Sequence, residues 1–258
     1  MKLDTSSYYP KSPLDDEPEE TEIRIAVIEP ESCDANEAEH EPLHEESDME
    51  REPDPGFLTG VSNILSWVLV PMFMPVYGIM LSFGLTILAY TGFGVRIAFT
   101  AIAAAFNVVV PAIVIILLKR FGIIEDIGLN NRKERLIPFI VSTIAMAGTG
   151  LFMHFKGAPE WLMMFFFGGA AAGLIEAVVN RWWKISVHAA GIAGIVALLI
   201  HIMLSQYHAP ATLNWLLIAV GCAGLLGSAR IWLGRHTLMQ VLAGYAVGFC
   251  SVYFLMQI

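Results

Sequence analysis

The 258-residue chain is 56% hydrophobic and only 15% charged, with a mean hydropathy of +0.62, which excludes an ordinary soluble enzyme domain. Its formal net charge of -9 hides two opposed parts: residues 1–55 hold 19 acidic and 4 basic side chains, whereas the rest holds 5 acidic and 11 basic. An acidic tail and the lack of any basic binding motif exclude a nucleic-acid partner.

The first ten residues carry no apolar run behind Lys2, so no secretory signal peptide is read there. Residues 1–55 are crowded with Glu, Asp, Pro and Ser, a composition that buries too little apolar surface to offset the entropy of ordering, and a disordered tail is expected. Within it, Ile23-Arg24-Ile25-Ala26-Val27-Ile28 is either an unstructured stretch or a strand that adds to the sheet edge of a partner protein. His40 and His44 stand four residues apart among flexible carboxylates and read as solvated rather than as metal ligands. Cys33, Cys222 and Cys250 show neither CxxC spacing nor a disulfide framework, and no metal or cofactor is expected.

Residues 56–258 read as an all-α, polytopic membrane domain of six or seven transmembrane helices. The apolar stretches run over 61–90, 95–118, 136–153, 161–179, 187–204, 213–229 and 238–256. The first is long and holds Pro71 and Pro75, which predict a kink or a re-entrant break. Gly169 with Gly173, and Gly244 with Gly248, have the spacing that lets helix backbones approach, here within one bundle rather than between copies. Met163, Met164 and the run Phe165-Phe166-Phe167 read as packing or lipid-facing residues.

Charge near a bilayer is costly, so its placement is informative. It concentrates in Asn130-Asn131-Arg132-Lys133-Glu134-Arg135-Leu136-Ile137-Pro138, in Arg181-Trp182-Trp183-Lys184-Ile185-Ser186-Val187-His188, and in Ser228-Ala229-Arg230-Ile231-Trp232-Leu233-Gly234-Arg235-His236. Two spans separate each segment from the next, so all three reach one membrane face. Seven Lys or Arg with two histidines and little acid suit an anion, most naturally a phosphate. The competing reading for Lys119, Arg120, Arg132 and Arg181 is the positive-inside rule, under which basic loops meet only lipid head groups. His154 and His201 read as packing residues and His208 as a loop residue.

These segments resemble the type 2 phosphatidic acid phosphatase family over about residues 132–248. The family's third motif is Ser-Arg, five residues, His, three residues, Asp; this chain has Ala229-Arg230, five residues, His236, three residues, Gln240, followed by Val241-Leu242-Ala243-Gly244. Its second, Pro-Ser-Gly-His, is matched by Ile185-Ser186-Val187-His188, and its first is suggested by Lys133, Arg135 and Pro138. The resemblance implies a helical bundle that hydrolyses a lipid or prenyl phosphate without metal, through a phosphohistidine. Carried over, His236 is the nucleophile, His188 the general acid, and Arg230, Ser186, Arg135 and Lys133 phosphate ligands. Lys184 joins them by its proximity to Ser186 and His188.

Such chemistry needs a neutral imidazole, fixed cationic donors and a second histidine able to give a proton. Position 240 lies one helical turn beyond His236 and faces it. The family's aspartate there fixes the tautomer; Gln240 accepts the same N–H through its amide oxygen, or donates and holds the other tautomer. Glu176 is either a substitute orienting acid or a partner for Arg181. The alternative function is a phosphatase-like bundle without turnover that binds anionic lipid or a partner protein. A transporter is disfavoured because the opposite face offers little beyond Arg96, Lys156 and Glu160. A bacterial inner membrane is the expected location. The positive-inside count places the basic face in the cytoplasm, and the resemblance places it outside.

Overall fold

A computed structural model describes residues 56–125, 128, 132–205 and 208–258. The acidic tail, with the 23–28 patch, Cys33, His40 and His44, lies outside the described residues, as do Asn130, Asn131 and the side chain of Arg132. The described residues form an all-α bundle in which seven helical segments are long and apolar enough to cross a membrane: Phe57–Leu85, Phe93–Arg120, Lys133–Phe155, Glu160–Val179, Val187–Leu204, Thr212–Trp232 and Leu238–Leu255. The chain is an integral membrane protein.

The first two segments are interrupted, each at a proline. Helix α1 (Phe57–Val68) ends before a 3-10 turn at Pro71–Phe73, and α2 (Met74–Leu85) follows. Val70, forced out of the helical region by the proline behind it, is extended at φ -64°, ψ 139°. A separate 3-10 turn at Ile87–Tyr90 ends the stretch that hydropathy joins to this span. In the second segment α3 (Phe93–Ala104) passes through a π-helical stretch, Ala105–Val109, into α4 (Val110–Arg120). Pro111 explains the widening, since it lacks an N–H and its ring needs room beside the carbonyl one turn back.

Five regular helices complete the bundle: α5 (Leu136–Phe155), α6 (Glu160–Val179), α7 (Val187–Leu204), α8 (Thr212–Trp232) and α9 (Leu238–Leu255). The central helix, α7, is the most buried of the spans and packs on α9, α8 and α2; α6 packs on α5 and α9. Lipid tails are as apolar as leucine, so burial does not hold these helices together, and close backbone approach takes its place. A Cβ on Gly244 would lie 2.4 Å from the Ser186 carbonyl oxygen, and one on Gly248 would lie 2.1 Å from that of Ala190. Likewise a Cβ on Gly169 would meet Met146 Cε at 1.9 Å, and one on Gly173 would meet Thr143 Oγ1 at 2.7 Å. Both glycine pairs therefore serve packing inside one bundle, α7 on α9 and α5 on α6. Phe165 and Phe166 are buried edge to face at 5.2 Å, while Ile64, Ile144, Leu174, Leu217 and Phe254 are exposed along the surface, as lipid contact requires.

Candidate functional site

The site begins with a short connection of fixed geometry. Helix α8 ends in a Schellman motif: Gly234, at φ 65°, donates to the Ile231 carbonyl at 3.0 Å, and Arg235 N–H donates to that of Arg230 at 3.1 Å. Thr237 then caps α9. Its hydroxyl accepts the Gln240 N–H at 3.4 Å, and Gln240 Oε1 accepts the Thr237 N–H at 3.2 Å, a reciprocal capping box. His236 is thereby held between two capped helix ends, itself buried.

Gln240 Oε1 also lies 3.1 Å from His236 Nδ1. An amide oxygen only accepts, so Nδ1 carries the proton and Nε2 keeps its lone pair. The capping box decides which way the amide faces, because a flip would set its NH2 against the Thr237 N–H. Burial first, then the charges of Arg230 and Arg135, with a smaller part from Lys184, push the imidazole down to about 2 against the opposing Gln240 hydrogen bond. The ring is neutral across the physiological range.

The second histidine reaches the same place from α7. Ser186 is fully buried and caps that helix by accepting the Ala189 N–H at 3.5 Å, and its own N–H donates to the Gln240 carbonyl at 3.3 Å. This backbone link, made where Gly244 lets Ser186 sit against α9, ties the segment bearing His188 to the segment bearing His236. The His188 ring interacts with the Ser66 backbone on α1 and lies close enough to Arg230 and Arg135 to feel both charges. Arg230 in turn lies near Arg135 and Arg235.

Six expected residues thus come together: Arg135, Lys184, His188, Arg230, His236 and Gln240. Arg135 and Lys184 are buried, unusual for cations and costly unless an opposite charge is near. Two helix N-termini, of α7 and α9, open on the cluster and favour an anion there. Ser186 lies beside it with its hydroxyl oxygen engaged in the cap. Lys133 is exposed and is not among the groups acting on either histidine, and Arg181 is exposed too. Glu176 takes neither expected position: it is buried beside Arg135, while the group oriented on His236 is Gln240. Among the described residues no cluster of His, Cys, Asp and Glu is arranged to hold a metal ion. His154 and His208 are exposed, and His201 packs against Trp161 and Gln257.

Sequence reasoning missed two contributors. Thr237 was detectable, since Thr followed three residues later by Gln at a helix start is the capping-box pattern. Ser66 was not, because it acts through its backbone. No family model, curated protein or solved structure matches this chain.

Proposed function

We propose that the protein is an integral membrane phosphatase, of the bacterial inner membrane, that hydrolyses a lipid or prenyl (pyro)phosphate through a phosphohistidine. What carries the reading is one arrangement: a neutral His236 whose Nδ1 is held by Gln240, beside Arg135, Arg230 and Lys184. In this reading Nε2 of His236 attacks phosphorus, and the guanidinium groups and Lys184 stabilise the charge on the equatorial oxygens. The P–O bond to the leaving alcohol breaks as His188, which must enter this step as the imidazolium, gives the alkoxide a proton and becomes neutral. A water then attacks the phosphohistidine, His188 takes its proton, and inorganic phosphate leaves with His236 restored.

The second reading is anion binding without turnover, and the neutrality of Gln240 favours it. In the serine protease triad, replacing the orienting Asp by Asn lowers kcat about 10⁴-fold because the wrong tautomer is held. Here the capping box holds the productive one, so only the electrostatic part of that loss applies. Purified protein in lipid nanodiscs is expected to release phosphate from phosphatidate or a prenyl diphosphate, and His236→Ala to abolish that release. Phosphate-lipid binding without release from any substrate would establish the second reading. Release that survives His236→Ala would remove His236 from the chemistry.

A further inference from the structure

Below the cationic cluster the bundle holds a cavity of about 130 Å3, larger than a single water requires. Its wall is largely apolar, with Pro71, Met74 and Phe165 among its lining. Four oxygen-bearing side chains from three spans interrupt it: Asn107, Ser142, Thr143 and Glu176. Asn107 Oδ1, Thr143 Oγ1 and Glu176 Oε1 are all buried and have no hydrogen-bond partner among the described residues. Buried acceptors left in that state cost free energy, and three bordering one cavity point to a ligand that supplies the donors.

The orientation of Asn107 is fixed. Its amide NH2 donates to the Ala103 carbonyl at 2.9 Å and to Thr149 Oγ1 at 2.8 Å, leaving Oδ1 as its one unused group. It sits in the π-helical stretch 105–109, an irregularity that recurs at functional sites. Glu176 lies close enough to Arg135 to feel its charge. An ammonium group added here would stand beside Arg135 and the rest of the cationic cluster, whereas hydroxyl groups supply donors without adding charge. A bare cation would prefer an all-oxygen shell to this apolar wall.

We infer that this cavity binds the alcohol part of the substrate, and that it selects lipid phosphates carrying a free hydroxyl beside the phosphorylated carbon, with Asn107, Thr143 and Glu176 as specificity-determining acceptors. The inference rests on the phosphatase reading for the placement of the phosphate. Glu176 and Val187 provide the continuity, since they line the cavity and also adjoin Arg135 and His188. A fully esterified glycerol phosphate or a prenyl phosphate leaves the acceptors unmatched.

Binding and turnover separate the two ideas. Full-length protein in nanodiscs is titrated with a monoacylglycerol and with the methyl ester of the same fatty acid. The monoacylglycerol is expected to bind about tenfold more tightly, and Thr143→Val and Asn107→Leu are each expected to reduce that preference severalfold. Thr143 Oγ1 has no hydrogen-bond partner among the described residues, so Thr143→Val tests the idea even if loss of the Asn107–Thr149 bond unfolds the other variant. Equal affinities for the two lipids, or a preference that Thr143→Val leaves intact, overturn the inference. In phosphate-release assays the monoacyl glycerol phosphate should exceed the diacyl form in kcat/KM by a similar factor. Hydrolysis of both at equal kcat/KM refutes the selection while leaving the phosphatase standing. Selective monoacylglycerol binding with no hydrolysis refutes the phosphatase while leaving the cavity as a hydroxyl-lipid site.

Discussion

Gln240 Oε1 accepts two hydrogen bonds, one from the start of its own helix and one from the ring it orients, so losing it affects the helix cap and the tautomer together. Gln240→Leu is expected to lower kcat by about 10²- to 10⁴-fold, the range over which a positioned acid-base group contributes, with a loss of stability of about 1 kcal/mol from the cap. Gln240→Glu keeps both acceptor contacts and adds the charge that stabilises an imidazolium; its kcat should equal or exceed the parent's. A phosphate-release assay on both variants checks the pair, and a Glu variant as impaired as the Leu variant would show that the oxygen does not orient His236. The folded-state value of His236 lies far below the 6.5 of an unfolded histidine. Its burial therefore contributes stability that is fully present above pH 6.5 and is lost as the pH falls toward 2, because the unfolded chain takes up the proton first. Nitrogen NMR of the His236 ring should show a neutral Nδ1–H tautomer from pH 5 to 8; an imidazolium signal growing in near pH 6.5 would contradict the buried, cation-flanked setting.

Among the elements, the α7–α9 contact decides whether the two histidines meet at all. At Gly244 and Gly248 the missing side chains leave space that backbone of α7 occupies, so added bulk has no flexible neighbour to displace. Gly244→Ala is expected to cost about 1 to 3 kcal/mol of stability through overpacking, and to reduce kcat more than tenfold by moving Ser186 and His188 away from α9. Gly221, in the same bundle, faces open space, and Gly221→Ala should leave both quantities nearly unchanged. Thermal unfolding in nanodiscs, read beside phosphate release, checks the contrast; equal behaviour of the two alanine variants would show that close approach at 244 does not position the site. The α8–α9 connection obeys the same logic through torsion rather than space, since Gly234 occupies the left-handed region that closes the Schellman motif.

For the whole molecule, the spans were legible because a bilayer demands about 20 apolar residues in succession, and the basic face because charges are excluded from everything between. The breaks within the first two spans were half legible: Pro71 signalled one, while the π-helical stretch needs the carbonyl geometry before Pro111, which hydropathy does not contain. The partner of Glu176 was hidden, since the register of α5 on α6 is set by which side chains fill the space over Gly169 and Gly173. The same fold bears on orientation. Nine Lys or Arg between 119 and 235 fall at the basic end against Arg96 and Lys156 at the other, a count inflated by cations that serve the site. Setting aside Arg135, Lys184, Arg230 and Arg235, which cluster around the histidines, still leaves Lys119, Arg120, Lys133, Arg181 and Arg132. The excess survives, and the positive-inside rule predicts that end to be cytoplasmic. With the native cysteines replaced by serine, Trp182→Cys at the basic end should resist a membrane-impermeant maleimide in intact cells and react after lysis, while Lys156→Cys should react without lysis. Labelling of Trp182→Cys in intact cells would place the cationic cluster on the outer face and make its arginines ligands first and topology signals second.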